Sequence, residues 1–417
     1  MNILVVSAQK PDSTGSGVYL AETVRAFRAM GHEVAVIAGI DREDAPVLPE
    51  GTLFFPVRFR TEALPFPVCG MSDEMPYAAT RYRDMTPDAV LQFADAFTAA
   101  VRDVLGRGKP DLAICHHLYL ATAVVVEAAL PCPVTAVCHS TDLRQMRSHE
   151  LARERIVRAV RKLTCVYALH EAQKREIADL YGIPLSRICV VGTGYNDAVF
   201  HEVFGMRCRD CVEVAYAGKI WRKKGVESLI RCLDLLPYEP GGFRLRLAGG
   251  HNSASELAHM QKLAAHAPYD VEFLGKLSQE SLAEVYNRAQ VFVLPSFFEG
   301  LPLVVIEALA CGCVVVTTDL PGIRDWLSAA VPKAPVVYVE PPRMKGVDEP
   351  FPEDLPAFEQ RLARALERAV DMAAAFPVDV PRARPACRRL SWNALAACML
   401  ESCCETGGSE PTETACV

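Results

Sequence analysis

Short apolar runs, each followed by a glycine-bearing turn and a stretch with helical spacing, recur along this chain and restrict it to a parallel α/β architecture. Residues 3–6 form the first run. A polar loop with Gly15, Ser16 and Gly17 follows, then Val18, Ala21, Val24 and Phe27 at helical spacing, then Gly31 and a second run at 34–37. Strand, glycine turn, helix, strand is the crossover unit of a doubly wound fold, because parallel neighbours need a long connection. Further runs at 112–115, 134–137, 164–166 and 188–191 alternate with helical stretches. The pattern restarts at 212–216 and continues through 243–247, 271–273, 291–294 and 314–317. At 417 residues the chain is two to three ordinary domains long. Two doubly wound domains are therefore expected, about 1–198 and 208–385, with the link near 196–210. Two Pro-rich stretches, 41–90 and 335–356, are expected to be irregular. A helix is expected over 355–376, another over about 390–402, and a polar, frayed tail over 403–417.

Lys and Arg number 44 against 51 Asp and Glu, a net charge of −7, which argues against a general nucleic-acid binder. A hydrophobic share of 51% supplies a large core. Apolar runs such as 121–126 fall far short of the ~20 residues a membrane span needs. The first residues lack the basic flank of a signal peptide, so a cytoplasmic location is expected. Sixteen cysteines are present, most set singly in apolar runs, where a reduced thiol behaves as a small hydrophobe. Cys208 and Cys211 form the one Cys-x-x-Cys pair. With no second pair at zinc-ribbon spacing, no metal site is expected. Cys403, Cys404 and Cys416 are expected to be exposed.

The sharpest local signal runs from Ser296 to Gly312, beginning where the run 291–294 ends. Pro302 suits a first helical turn and Gly312 the cap. Glu299 then stands in the preceding loop, and Glu307 about a turn and a half into the helix. A helix N-terminus near Gly300 offers unpaired N–H groups to a phosphate or sugar oxygen. Two carboxylates seven residues apart can hold two hydroxyl groups of one extended ligand. Equally, Glu299 can complement the helix dipole while Glu307 is solvated.

Glu299, Gly300, Glu307, Ala308 and Gly312 resemble the Glu-x7-Glu element of the retaining GT-B glycosyltransferases of family 4. The likeness extends over roughly 1–400. Gly31-His-Glu-Val34 resembles the family's turn after its first helix, and Val191-Gly-Thr-Gly194 with Phe200 its approach to the hinge. Gly218 with Lys224-Gly225 resembles its phosphate-binding stretch, and Leu247-Ala-Gly-Gly250 and Phe273-Leu-Gly275 follow in the family's order. The resemblance implies two facing Rossmann-like domains with an interdomain cleft, donor on the second and acceptor on the first, and a last helix returning to the first domain. It implies that Glu307 holds the donor's ribose hydroxyls and Glu299 contacts the transferred sugar. Gly218, Gly250, Gly275 and the backbone at Gly300, Leu301 and Pro302 would support donor phosphate or sugar.

A basic pair, Lys219 and Lys224, would neutralise the departing diphosphate. The family more often has Arg then Lys, and Lys lacks the bidentate fork, so Arg222 is a candidate to share the role; a merely solvated turn is the alternative. Gly15 and Gly17 fail as a dinucleotide fingerprint, since the third glycine position is Leu20. The resemblance gives that turn the task of bringing backbone close to donor phosphates or acceptor. His139, after the run 134–137, resembles the first-domain histidine that touches the donor sugar; a structural histidine is the alternative. His116 and His117 are acceptor-side candidates. No cofactor and no metal are implied. The implied reaction moves a sugar, with retention, from a nucleotide-diphospho-sugar (UDP before GDP or ADP) to a hydroxyl of a glycan, lipid or small molecule. A related epimerase or phosphorylase, or a non-catalytic nucleotide-sugar binder, is the alternative.

Residues 144–162 carry Arg144, Arg147, Arg153, Arg155, Arg158, Arg161 and Lys162 beside an apolar set, Leu151, Ile156, Val157 and Val160. One basic amphipathic helix here would suit peripheral contact with an anionic membrane, on the inner face, or an acidic acceptor. An ordinary helix packed on its sheet is the alternative.

Overall fold

Valine-, isoleucine- and alanine-rich strands buried on both faces build two large parallel sheets, as expected where helices cover both sides. The computed structural model describes residues 1–11, 13–251, 253–346, 349–376 and 385–405. The chain divides into two units, Met1–Gly194 with the segment from Trp392 onward, and Tyr195–Ser391.

The first unit contains strands β1 (Asn2–Ser7), β2 (Glu33–Asp41), β3 (Leu53–Phe59), β4 (Cys69–Gly70), β5 (Thr80–Arg81), β6 (Leu112–His116), β7 (Val134–Val137), β8 (Cys165–Ala168) and β9 (Ile188–Val190). Its helices are α1 (Gly15–Ala29), α2 (Pro87–Arg107), α3 (Leu120–Glu127), α4 (Thr141–Ser148), α5 (Arg153–Val160) and α6 (Glu171–Tyr181). The seven-stranded sheet has the order β3-β2-β1-β6-β7-β8-β9, all parallel. Winding proceeds outward from β1 and restarts on its other side at β6, so the reversal point lies between these two strands.

The second unit repeats the plan with β10 (Val212–Ala217), β11 (Phe243–Ala248), β12 (Asp270–Gly275), β13 (Val291–Leu294), β14 (Val314–Thr318) and β15 (Val336–Val339). Its helices are α7 (Val226–Arg231), α8 (Ala254–Ala264), α9 (Gln279–Arg288), α10 (Leu303–Ala310), α11 (Ile323–Ala330) and α12 (Leu355–Ala374). The order β12-β11-β10-β13-β14-β15 puts the reversal between β10 and β13. In such sheets ligands gather beyond the carboxyl ends of the strands at the reversal. Each unit has its own apolar core.

The last helix, α13 (Trp392–Glu405), joins the first unit. It packs on α1 and β8; the Trp392 ring meets Tyr19 edge-on at 5.0 Å, and the Tyr167 hydroxyl donates to the Met399 carbonyl at 2.7 Å.

Five expectations are corrected. Residues 41–90 are not irregular throughout: 53–59 form the edge strand β3, and Val57, Phe59, Leu64, Val68 and Met71 are buried in the core. Pro56 is tolerated because an edge strand has one unpaired side. Within 335–356, β15 closes the second sheet's other edge. The stretch 144–162 is two helices, broken at 149–152, where Ala152 has a left-handed φ of 47°. Several of its cations are engaged: Arg147 with Glu176, Arg155 with Glu127 at 2.6 Å, and the Arg161 guanidinium with the Tyr181 carbonyl at 2.7 Å. Gly15 and Gly17 lie in the first turn of α1, not in a loop before it. Finally, α13 continues to Glu405 and buries Cys403; Cys416 and the rest of the tail lie outside the described residues. Among the described residues no helix is long and apolar enough to cross a membrane.

Candidate functional site

In the second unit the loops beyond β10, β11 and β13 lock together. The Gly218 amide donates to the Ala248 carbonyl at 3.0 Å, Ile220 N–H to Gly250 at 2.9 Å, and Gly249 N–H to Gly275 at 2.7 Å. Gly249 sits at φ 145°, and a Cβ there would strike the Gly218 carbonyl oxygen, so two loops approach at a distance only glycine permits. Lys223 accepts from the Phe297 amide at 3.3 Å, bringing the loop after β13 onto the 3₁₀ turn Arg222–Lys224.

That docking carries the charged groups together. The Lys224 ammonium lies 2.6 Å from Glu299 Oε1 and donates also to the Phe298 carbonyl at 3.3 Å. The Lys224–Glu299 pair is only partly exposed, at 25% and 17% of the two side chains, so it is weakly screened. Below it, the Tyr216 hydroxyl donates to the Lys219 carbonyl at 2.7 Å. Burial, and then the nearby Glu299 charge, push the Tyr216 phenol well above its ordinary range, so it stays a donor. Lys219 and Lys223 stand over the Trp221 ring at 4.8 and 5.2 Å, and Arg222 pairs with Glu227 at 3.0 Å.

Pro302 caps α10 rather than beginning it, and Gly312 takes its left-handed turn just past the end, at φ 82°. Gly300 and Leu301 belong to the loop between Glu299 and Pro302. Glu307 is 8% exposed, which removes the solvated alternative. Its charge adds to burial in raising the Tyr286 phenol. Three residues before Glu299, Ser296 is 1% exposed and its hydroxyl lacks a hydrogen-bond partner.

The first unit has its own cluster at the β1/β6 reversal. His116 ends β6, His117 follows with a left-handed φ of 72°, and His139 stands just beyond β7. His116 Nδ1 and His139 Nε2 are 3.0 Å apart, so one ring donates and the other accepts. Burial, reinforced by the neighbouring imidazoles, holds His139 well below the ordinary histidine range and brings His116 down to about 3. Both rings are neutral at physiological pH. Tyr19 of α1 packs edge-on to both, at 6.0 and 5.2 Å.

Asp142 fastens this cluster: fully buried, it accepts from the Leu118 amide at 2.8 Å and the His139 amide at 3.1 Å. The α1 N-terminus completes the region, with Thr14 accepting from the Gly17 amide at 3.2 Å and Ser16 donating to Gln9 at 2.9 Å; Gly15 is exposed.

The structure thus brings Gly218, Lys219, Lys224, Gly250, Gly275 and Glu299 into one loop cluster, and His116, His117 and His139 into another. Tyr216, Ser296 and Asp142 were not singled out as site residues. Asp142 alone had a visible signal, an acid three residues after His139 at a helix start; Tyr216 and Ser296 read as strand and loop.

Residues 13–199 match a family model described as Glycosyltransferase Family 4, and residues 212–342 one described as Glycosyl transferases group 1. The chain is 31% identical to the D-inositol 3-phosphate glycosyltransferase of Pseudarthrobacter chlorophenolicus over 42% of this chain and 44% of that protein. With the enzyme of the same name from Acidothermus cellulolyticus identity is 27%, over 75% and 72%. The match thus spans less than half the length of the first relative. Among solved structures, sucrose-phosphate synthase from Thermosynechococcus elongatus aligns with a TM-score of 0.70 at 19% identity, over 96% of this chain and 98% of that one. Anabaena HepE, solved in complex with UDP and glucose, aligns with a TM-score of 0.63 at 13% identity, over 96% and 99%.

Proposed function

Because the chain belongs to the glycosyltransferases of family 4 (glycosyl transferases group 1) and has the GT-B fold, two Rossmann-like α/β halves, we propose that it transfers a sugar from a nucleotide-diphospho-sugar to an acceptor hydroxyl with retention. The observation that carries this reading is the Lys224–Glu299 pair at 2.6 Å, set beyond β10 and β13 in a loop cluster that also holds Lys219. A diphosphate arriving there competes for Lys224 and releases Glu299 to bond a sugar hydroxyl. Buried Glu307, on the helix that follows, is the ribose-binding acid. Lys219 and Lys224 stabilise charge that grows as the bond from anomeric carbon to phosphate oxygen breaks. The acceptor oxygen forms the new bond on the same face, and its proton passes to the departing phosphate.

His139 is the first-unit group for the transferred sugar, with His116 and His117 on the acceptor side. UDP is the expected base carrier, in keeping with the UDP of the HepE complex. The relatives' names point to a small phosphorylated polyol as acceptor.

Incubating purified protein with UDP-, GDP- and ADP-sugars and a panel of phosphorylated polyols tests the reading. New glycoside, or slow release of free sugar with retained anomeric configuration, supports it. An isomerised donor would make the protein an epimerase, and binding without turnover a nucleotide-sugar-binding protein.

A further inference from the structure

Cys208 and Cys211 belong to neither loop cluster. They lie just before β10, and their Sγ atoms are 3.7 Å apart. Two thiolates on one tetrahedral zinc, each at about 2.3 Å, stand about 3.8 Å from one another. The pair therefore already has the bite of a thiophilic divalent cation. A third ligand atom comes from Glu213, the second residue of β10; the two sulfurs and a Glu213 carboxylate oxygen all lie within 4.8 Å of one another. Glu213 is fully buried; its Oε2 accepts no hydrogen bond and is met by the Arg246 guanidinium at ion-pair distance, 3.4 Å.

The backbone that carries these groups is fixed from outside. The Cys208 amide donates to the Arg288 carbonyl at 3.0 Å, the Gln290 amide group donates to the Cys208 carbonyl at 2.5 Å, and Glu213 N–H donates to Gln290 Oε1 at 2.7 Å. Charge is balanced as well. Arg244, Arg246 and Arg288 contact Glu213 at 3.5, 3.4 and 3.2 Å, and Arg244 also reaches Asp270 and Glu272 at 3.6 Å. Three guanidinium groups thus offset three carboxylates, and two thiolates remain to match a divalent charge.

We propose that Cys208, Cys211 and Glu213 bind a thiophilic divalent cation, zinc being the type, with water as fourth ligand. The metal clips the segment 208–211 to the start of β10. Each thiol gives its proton to solvent as its metal–sulfur bond forms. The pattern was invisible as a zinc motif because its third ligand is a strand carboxylate, not a second cysteine pair. The site lies apart from the residues proposed for sugar transfer and stands whether or not that function holds.

Full-length protein, reduced, stripped with chelator and dialysed against zinc chloride, should retain one zinc per chain by atomic absorption. Cadmium chloride should give an ultraviolet thiolate-to-metal absorption band, and zinc should raise the melting temperature. The C208S/C211S variant, with circular dichroism like the parent's, should lose all three responses. Wild-type protein that retains no zinc beyond that variant overturns the proposal. So does a variant that keeps the zinc and the cadmium band, since the metal would then sit on other thiols.

Discussion

Lys224 and Glu299 hold one another at 2.6 Å, whereas Glu307 is sheltered in α10, and the two acids should fail differently. Glu307→Ala is expected to weaken nucleotide binding at least tenfold by calorimetry, on the order of 1.4 kcal/mol. Glu299→Gln should leave nucleotide affinity near the parent's and slow transfer instead. Wild-type affinity in Glu307→Ala removes the ribose assignment. The histidines carry a pH signature. His116 has its folded pKa lowered to about 3, so its contribution to stability is complete above roughly pH 6.5, the unfolded value, and is lost as pH falls towards about 3. With His139 also held well below its ordinary range, the pH–rate profile should show no histidine inflection between about pH 5 and 8. A break near pH 6.5 that disappears in His139→Ala would place a titrating imidazole in the reaction. The placement of Glu299, Glu307 and His139 relative to β13, α10 and β7 was legible because apolar spacing marks those elements. Tyr216 was not, because only the folded loop shows that its hydroxyl reaches Lys219.

At the scale of elements, the docking of the turn Arg222–Lys224 against the loop after β13 depends on Gly225. It sits at φ 70° as the N-cap of α7, and a Cβ there would strike the Pro295 carbonyl oxygen. Gly225→Ala should therefore destabilise the second unit by more than the ~1–3 kcal/mol of backbone strain alone, seen as a lowered denaturant midpoint. A parent-like midpoint would mean the loop shifts freely, and that the Lys224–Glu299 geometry is not imposed by packing. Central strands were legible to within a residue or two, since burial on both faces leaves an uninterrupted apolar run; β2 is the exception, continuing to Asp41, four residues past the run 34–37. Of the edge strands of the two large sheets, β9 and β12 were legible and β3 and β15 were not: β3 carries Pro56 and Arg58, and β15 lies at the start of the proline-rich stretch 335–356. The break at 149–152 escaped for another reason, because apolar and basic residues keep helical spacing on both sides of it.

Across the whole molecule, the acids and lysines proposed to hold nucleotide lie in the unit Tyr195–Ser391. UDP at about 100 times its dissociation constant should add ~2.7 kcal/mol of stability. Hydrogen exchange should slow mainly over β13, α10 and the turn Arg222–Lys224. Protection confined to β6, β7 and α1 would move the nucleotide to the other unit. Two doubly wound halves could be foreseen from the restart at 212, but not which residues carry the crossing. There the chain passes from Gly194 to Tyr195 and back from Ser391 to Trp392, with the Tyr195 amide bonded to the Leu390 carbonyl at 3.1 Å. That return gives the polypeptide a built-in order of synthesis. When Gly194 leaves the ribosome, the α1 surface that receives Trp392, and the Tyr167 hydroxyl that meets Met399, still have no partner. At roughly 5–20 residues per second these arrive about 10–40 s later. A nascent chain halted anywhere within the second unit therefore leaves bare, on the first, the apolar surface around Tyr19 that Trp392 later covers.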